Sequence, residues 1–149
     1  VTVLACIIIM LALTWFTSKT KMGKAMRACS EDKAAAQLMG INVNRTISMT
    51  FAIGSALAAI AGVLLCSSYR TLMPTTGSLP GIKAFTAAVF GGIGSIPGAM
   101  LGGILLGIIE TFAKVINTNI SDAVVFAVLI IVLLVKPAGL LGKTVREKV

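Results

Sequence analysis

Few residues in this chain have the types and spacing to do chemistry. The run "AGLLGKT", residues 138–144, ends in the Gly-Lys-Thr that closes many phosphate-binding loops. Such a loop needs a glycine, four residues, then Gly-Lys-Ser/Thr, set between a buried strand and a helix. Counted back from Gly142, the first glycine falls at Pro137, and an apolar run precedes it rather than a strand pattern. Both spacing and context fail, so ATP binding by this chain is not expected. "GGIGSIPG", residues 91–98, approaches the dinucleotide fingerprint, but counted from Gly92 its third glycine would be Pro97. There is no histidine, which removes the commonest general base and metal ligand. Cys6, Cys29 and Cys66 stand at no metal-ligand spacing and form no disulfide framework. No metal site and no enzymatic constellation is expected.

Glu110, Lys114 and Asp122 would suit a proton relay if they stood within a membrane span. They flank apolar runs instead. A charge at the bilayer centre costs about 2.5–3.5 kcal/mol on insertion scales, and flanking positions evade that cost. This counts against an ion-driven secondary transporter.

The elements that must position these residues are membrane elements. Of 149 residues, 57% are apolar and 12% charged, the latter about half the usual share. A soluble domain could not hide that much apolar surface from water. The net charge of +8 falls in two clusters: Lys19, Lys21, Lys24, Arg27, Lys33 and Arg45, and Lys136, Lys143, Arg146 and Lys148. Apolar runs separate them, so membrane topology explains the charge better than nucleic-acid binding. The chain starts at Val1 without a basic n-region, so its first run is not read as a signal peptide but as the end of a span interrupted upstream.

The patterning predicts an all-α, polytopic transmembrane bundle in one permease-like domain. Spans are expected at about 1–17, 46–67 and 117–135, a polar basic segment at 19–45, a broken pair at 82–110 and a tail at 136–149. Within the basic segment a short helix is expected from about Glu31 to Met39, outside the bilayer. Ser30 would be its N-cap, Glu31 and Asp32 its first-turn acids and Gly40 its C-terminal cap. In the 46–67 span Gly54, Ala58 and Gly62 recur every four residues and leave a smooth packing face. In the broken segment Gly91, Gly92, Gly94, Pro97 and Gly98 do not fit one unbroken helix. Two half-helices are expected, about Ile82–Phe90 and Pro97–Ile109, each too short to cross alone. Basic loops stay cytoplasmic, so the 19–45 segment and the tail share a side; the broken pair must then enter and leave on the same face. Irregular backbone at membrane depth needs protein or a water-filled cavity around it. Thr86, Gly91, Gly92, Gly94, Ser95 and Pro97 are therefore candidates for a translocation pathway. The N-terminal end of a half-helix at Pro97 would offer unpaired N–H groups to a carboxylate.

The stretch "TKMGKAMRACSEDKAAAQLMGINVNRTISMTFAIG" resembles the cytoplasmic loop of ABC-importer membrane subunits. Such loops often carry Glu-Ala-Ala, three residues, then glycine; here Ala34-Ala35-Ala36 is followed three residues later by Gly40, with alanine in place of the glutamate. Together with "GIKAFTAAVFGGIGSIPGAMLGG", "LIIVLLVKPAGLLG" and the ending "EKV", the chain is similar to the branched-chain amino-acid permeases over nearly its whole length. It looks like the C-terminal half of such a subunit. The resemblance implies a multi-pass protein of the bacterial inner membrane with a cytoplasmic C-terminus. It implies a second related permease subunit, cytoplasmic ATPase subunits that bind the ATP, and a periplasmic substrate-binding protein. It assigns docking on the ATPase to Arg27, Glu31, Asp32, Ala35, Ala36, Leu38, Met39 and Gly40. Branched-chain amino acids are the family's usual cargo, with urea or short amides in related permeases; an ion-coupled transporter and a structural membrane subunit are the other classes. No cofactor is expected on this chain.

Overall fold

The computed structural model describes residues 1–142; Lys143, Thr144, Arg146, Glu147 and Lys148 of the expected tail lie outside the described residues. Among the described residues all regular structure is helical: α1 Thr2–Lys19, α2 Lys21–Glu31, α3 Lys33–Leu38, α4 Val43–Ser68, α5 Ser78–Gly91, α6 Ile96–Ile116 and α7 Ser121–Val135. Of these α1, α4 and α6 are long and apolar enough to cross a membrane. The chain divides into two compact units, Val1–Pro74 and the part from Thr75 onward.

In the first unit α1 runs to Lys19 and turns at Thr20, whose side chain accepts a hydrogen bond from Gly23 N at 3.1 Å and caps α2. Gly23 permits this turn, since a Cβ there would lie 2.5 Å from the Thr17 Cα. The single helix expected from Glu31 to Met39 is instead the end of α2 and a separate α3, divided at extended Asp32. Ser30 is not the cap; its hydroxyl donates to Arg27 O at 2.7 Å within α2. Asp32 takes that role because its Oδ1 reaches two free first-turn donors, Ala34 N at 2.9 Å and Ala35 N at 3.2 Å. Glu31 thereby closes α2 rather than opening the next helix. The expected glycine stop is present: Gly40 has φ +84°, with Gly40 N bonded to Gln37 O and Ile41 N to Ala36 O. These two bonds make a Schellman end. Asn42 then caps α4 through Arg45 N at 3.2 Å, which starts that helix three residues before the expected Thr46. The smooth face of α4 is open: nothing among the described residues lies within 4 Å of a Cβ placed on Gly54 or Gly62.

In the second unit α5 and α6 form an antiparallel pair joined by Gly92–Ser95, and α7 packs on both. Phe90, Leu106 and Val125 make the core, with Ala87, Val128, Leu129, Val132 and Leu140 packed around them. The helix break falls where the sequence places it. The expectation of two short halves fails for the second: α6 has 21 residues, about 31 Å of helix, enough to cross a ~30 Å core alone. It runs past Ile109 because Glu110, which looked like a boundary charge, is neutralised by Lys83 from α5 and by Lys114 one turn further along α6. By contrast α7 starts at Ser121 rather than near 117, because Asn117–Ile120 forms a turn in which Asn117 Oδ1 accepts from Asn119 N at 3.1 Å. Its 15 residues give about 22 Å.

Candidate functional site

Two places carry features that ordinary packing leaves unexplained, one in each unit. The first is α3 and its caps. Only Ala36 on this helix is buried; Ala34, Ala35 and Gln37 are exposed, as are Glu31, Asp32, Arg27 and Gly40 beside it. Leu38 and Met39 are 88% and 83% exposed, although both are large and apolar. A six-residue helix has no independent stability in water, yet α3 is fixed at both ends, by Asp32 and by the Gly40 turn. The result is a rigid apolar tip offered outward. Lys33, Ala34, Gln37, Gly40, Ile41, Asn42, Val43 and Asn44 border an open groove of about 700 Å³ beside it. Of the docking candidates, Ala36 is turned inward and Asp32 serves as a cap; the rest are on the surface. Arg27 and Glu31 have no ion pair with each other among the described salt bridges.

The second place is the break between α5 and α6. Here the helices touch backbone to backbone. A Cβ on Gly91 would lie 1.8 Å from Gly98 O, and one on Gly102 would lie 2.4 Å from Ala87 O. Small residues at four-residue spacing on both helices (Ala87 and Gly91, Gly98 and Gly102) permit this approach. Gly103 and Gly107 are also four apart, yet a Cβ on Gly107 would meet nothing within 4 Å among the described residues and one on Gly103 only an ordinary contact. Ser95 caps α6 by accepting from Gly98 N at 3.1 Å. Gly92 and Gly94 hold φ of +106° and +91°, the conformation that turns the chain. Gly91 and Gly92 are buried, Gly94 and Pro97 exposed and Ser95 half-buried. Thr86 is also buried, and its hydroxyl donates to Ile82 O at 2.9 Å within α5. The pathway candidates therefore separate into a packed set (Thr86, Gly91, Gly92) and an accessible set (Gly94, Ser95, Pro97).

Sequence reasoning missed two parts of this unit. The segment after α7 is not a loose end: Leu140 N donates to Phe90 O and Leu141 N to Gly91 O, each at 3.0 Å. These bonds satisfy carbonyls that the end of α5 leaves unpaired. Gly139, at φ +79°, and Gly92 fit face to face; a Cβ on Gly139 would sit 2.6 Å from Gly92 N. The break is consequently level with the C-terminal end of α7. The signal was Gly139 and Gly142 around two leucines, obscured by their likeness to a phosphate loop. The other missed residue is Lys83. Its Nζ lies 2.7 Å from Glu110 Oε1 and 2.8 Å from Asp122 Oδ1, and Lys114 Nζ lies 2.7 Å from the same glutamate oxygen. This neutral chain of four charges ties α5, α6 and α7 at the end remote from the break. Its only sequence signal was Lys83 standing four residues before Ala87 and eight before Gly91, on one helical face.

The geometry can be set beside known proteins. The family profile described as branched-chain amino acid transport system / permease component matches residues 1–133. The chain is 55% identical over 141 residues to the high-affinity branched-chain amino acid transport system permease protein LivH of Escherichia coli strain K12, covering 94% of this chain and 46% of that protein. It is 54% identical over 143 residues to the corresponding protein BraD of Pseudomonas aeruginosa, covering 95% and 47%. It is 34% identical over 144 residues to the probable branched-chain amino acid transport permease protein LivH of Methanocaldococcus jannaschii, covering 91% and 45%. The chain thus spans just under half the length of these relatives. No solved structure matches it. With the profile running through α1 to α7, across both the capped α3 and the glycine break, the chain belongs to the family of permease components of branched-chain amino acid transport systems.

Proposed function

We propose that this chain is the C-terminal part of a permease subunit of an ATP-driven ABC importer in the bacterial inner membrane, and that the complete subunit passes branched-chain amino acids by alternating access. ATP is bound and split on separate cytoplasmic ATPase subunits. A second related permease subunit and a periplasmic substrate-binding protein complete the assembly, and the C-terminus is cytoplasmic. The observation that carries this reading is the tip of α3: Leu38 and Met39 stand exposed on a short helix that Asp32 and Gly40 hold rigid. A transmitted push needs a stiff element with an adhesive end, and apolar side chains beside a groove supply that contact. Arg27 and Glu31 flank it and would orient the partner, with Ala35 permitting close approach.

The accessible part of the break, Gly94, Ser95 and Pro97, is assigned to the translocation pathway. Thr86, Gly91 and Gly92 shape that region through packing from behind. Ion coupling is disfavoured because Glu110 and Asp122 are each held by a lysine. The test is a complete importer rebuilt in proteoliposomes with Leu38→Asp and Met39→Asp together. The reading expects normal insertion with at least a tenfold loss of ATP-driven leucine uptake. Full uptake would place docking elsewhere.

A further inference from the structure

The second unit is held at its two ends by clamps of opposite character. At the break the clamp is backbone. Gly91 meets Gly98, Gly92 meets Gly139, and Leu140 and Leu141 hydrogen-bond the end of α5 at 3.0 Å. Leu140 also packs on the core formed by Phe90, Leu106 and Val125. Interlocked backbones leave little room to slide, because a small shift brings overlapping atoms and loses hydrogen bonds with no alternative partners. At the far end the clamp is Lys83, gripping Glu110 on α6 and Asp122 on α7 through flexible side chains. Lys83 and Asp122 are partly exposed there. The more exposed Lys83–Asp122 pair can be exchanged for water at small cost, and Glu110 keeps Lys114 as its partner when Lys83 leaves.

We infer that α5 is a lever: the strap Gly139–Gly142 fixes its C-terminal end as a pivot, and the Lys83 ion pairs are a latch that opens the other end. The residues between suit that division of labour. The backbone contact reaches one turn back along α5, to Ala87 O against Gly102, so the pivot includes Ala87 and the arm that rocks is the part of α5 before it, which carries Lys83. The strap joins α7 to the pivot, so that any displacement of Lys136 and the residues after it bears directly on the fulcrum. The inference rests on the proposed permease reading for its role in transport, but the motion itself is a property of this unit.

The test uses the complete permease in its assembled complex, with Cys6, Cys29 and Cys66 replaced by alanine. One spin-label pair goes on exposed Ile82 and Ile120, flanking the latch. The other goes on exposed Ile93 and Leu141, flanking the pivot. None of the four belongs to the latch, and the labels read spacing whether or not cargo moves. Lys83→Met is expected to reduce the dipolar broadening of the Ile82–Ile120 pair by half or more and leave that of the Ile93–Leu141 pair unchanged. Asp122→Asn, which removes one of the two pairs, should give an intermediate reduction. Unchanged broadening at the latch in Lys83→Met overturns the inference, and so does equal loss at both ends. An importer that shows no ATP-dependent uptake would defeat the permease reading without altering these spectra.

Discussion

Gly91 and Gly98 meet with no room for a side chain between them: a Cβ on the first would lie 1.8 Å from the carbonyl oxygen of the second. Across this contact α5 and α6 approach more closely than any larger residue would allow. It gives the break between them the character of a tight helix crossing, closed further by the strap from α7.

Glycine substitutions should therefore sort by position and not by count. Gly91→Ala and Gly98→Ala must push backbone aside, and overpacking of this kind costs about 1–3 kcal/mol. Gly107→Ala meets nothing within 4 Å among the described residues, so it should be neutral or stabilising by up to about 1 kcal/mol through helix propensity. Thermal unfolding of the purified permease in detergent checks both, with Gly107→Ala as the internal control.

The turn at Gly40 should tolerate some residues and refuse others. Its φ of +84° strains ordinary side chains, while a Cβ there would meet nothing within 4 Å among the described residues. Asparagine adopts that conformation more readily than alanine or tryptophan. In reconstituted importer, stimulation of the ATPase by loaded binding protein should be nearly intact in Gly40→Asn. It should be reduced in Gly40→Ala and lost in Gly40→Trp, where the ring would add bulk at the docking face. Normal coupling in Gly40→Trp would remove Gly40 from the interface.

Asp32 offers a way to separate charge from capping. If its work is to hold Ala34 N and Ala35 N, Asp32→Asn should keep uptake within about twofold. Asp32→Ala should destabilise α3 by about 0.5–2 kcal/mol and lower uptake severalfold. Uptake assays on the two variants decide it, since an equal loss in both would show that the charge itself is needed.

At the accessible part of the break, Gly94 has φ +91°, and a Cβ placed there would meet nothing within 4 Å among the described residues. Gly94→Leu should leave the core intact yet reduce the uptake rate at least tenfold, through strain in the turn and bulk beside Ser95. Unchanged transport by that variant would take the pathway away from this region.

Some of this was legible in one dimension because it depends on local chemistry. Long apolar runs mean membrane helices whatever surrounds them, and α1 and α4 lie within a few residues of their expected places. Gly40 ends α3 because only a few residues accept left-handed backbone, and the break at Gly92–Ser95 follows from the same rule. Caps are harder, since Ser30 and Asp32 are both good N-cap residues. The choice between them depends on where α2 stops, which neighbouring helices decide.

What sequence alone could not supply was partnership at a distance. Lys83 and Glu110 are 27 residues apart, and nothing local joins them; the antiparallel pairing of α5 and α6 does. Glu110 looked like the edge of a half-helix because an unpaired charge is costly in an apolar run, but a lysine supplied by another helix removes that cost and lets α6 continue. Gly139–Gly142 looked like a tail because its hydrogen-bond partners lie on α5, some fifty residues earlier. Sequence determined the long apolar helices and the two glycine breaks, at Gly40 and Gly92–Ser95, since backbone conformation and hydropathy act within a few residues. Tertiary structure decided which charges are neutralised, which glycines touch and which carbonyls are capped, since those depend on the far part of the chain that folds back against them.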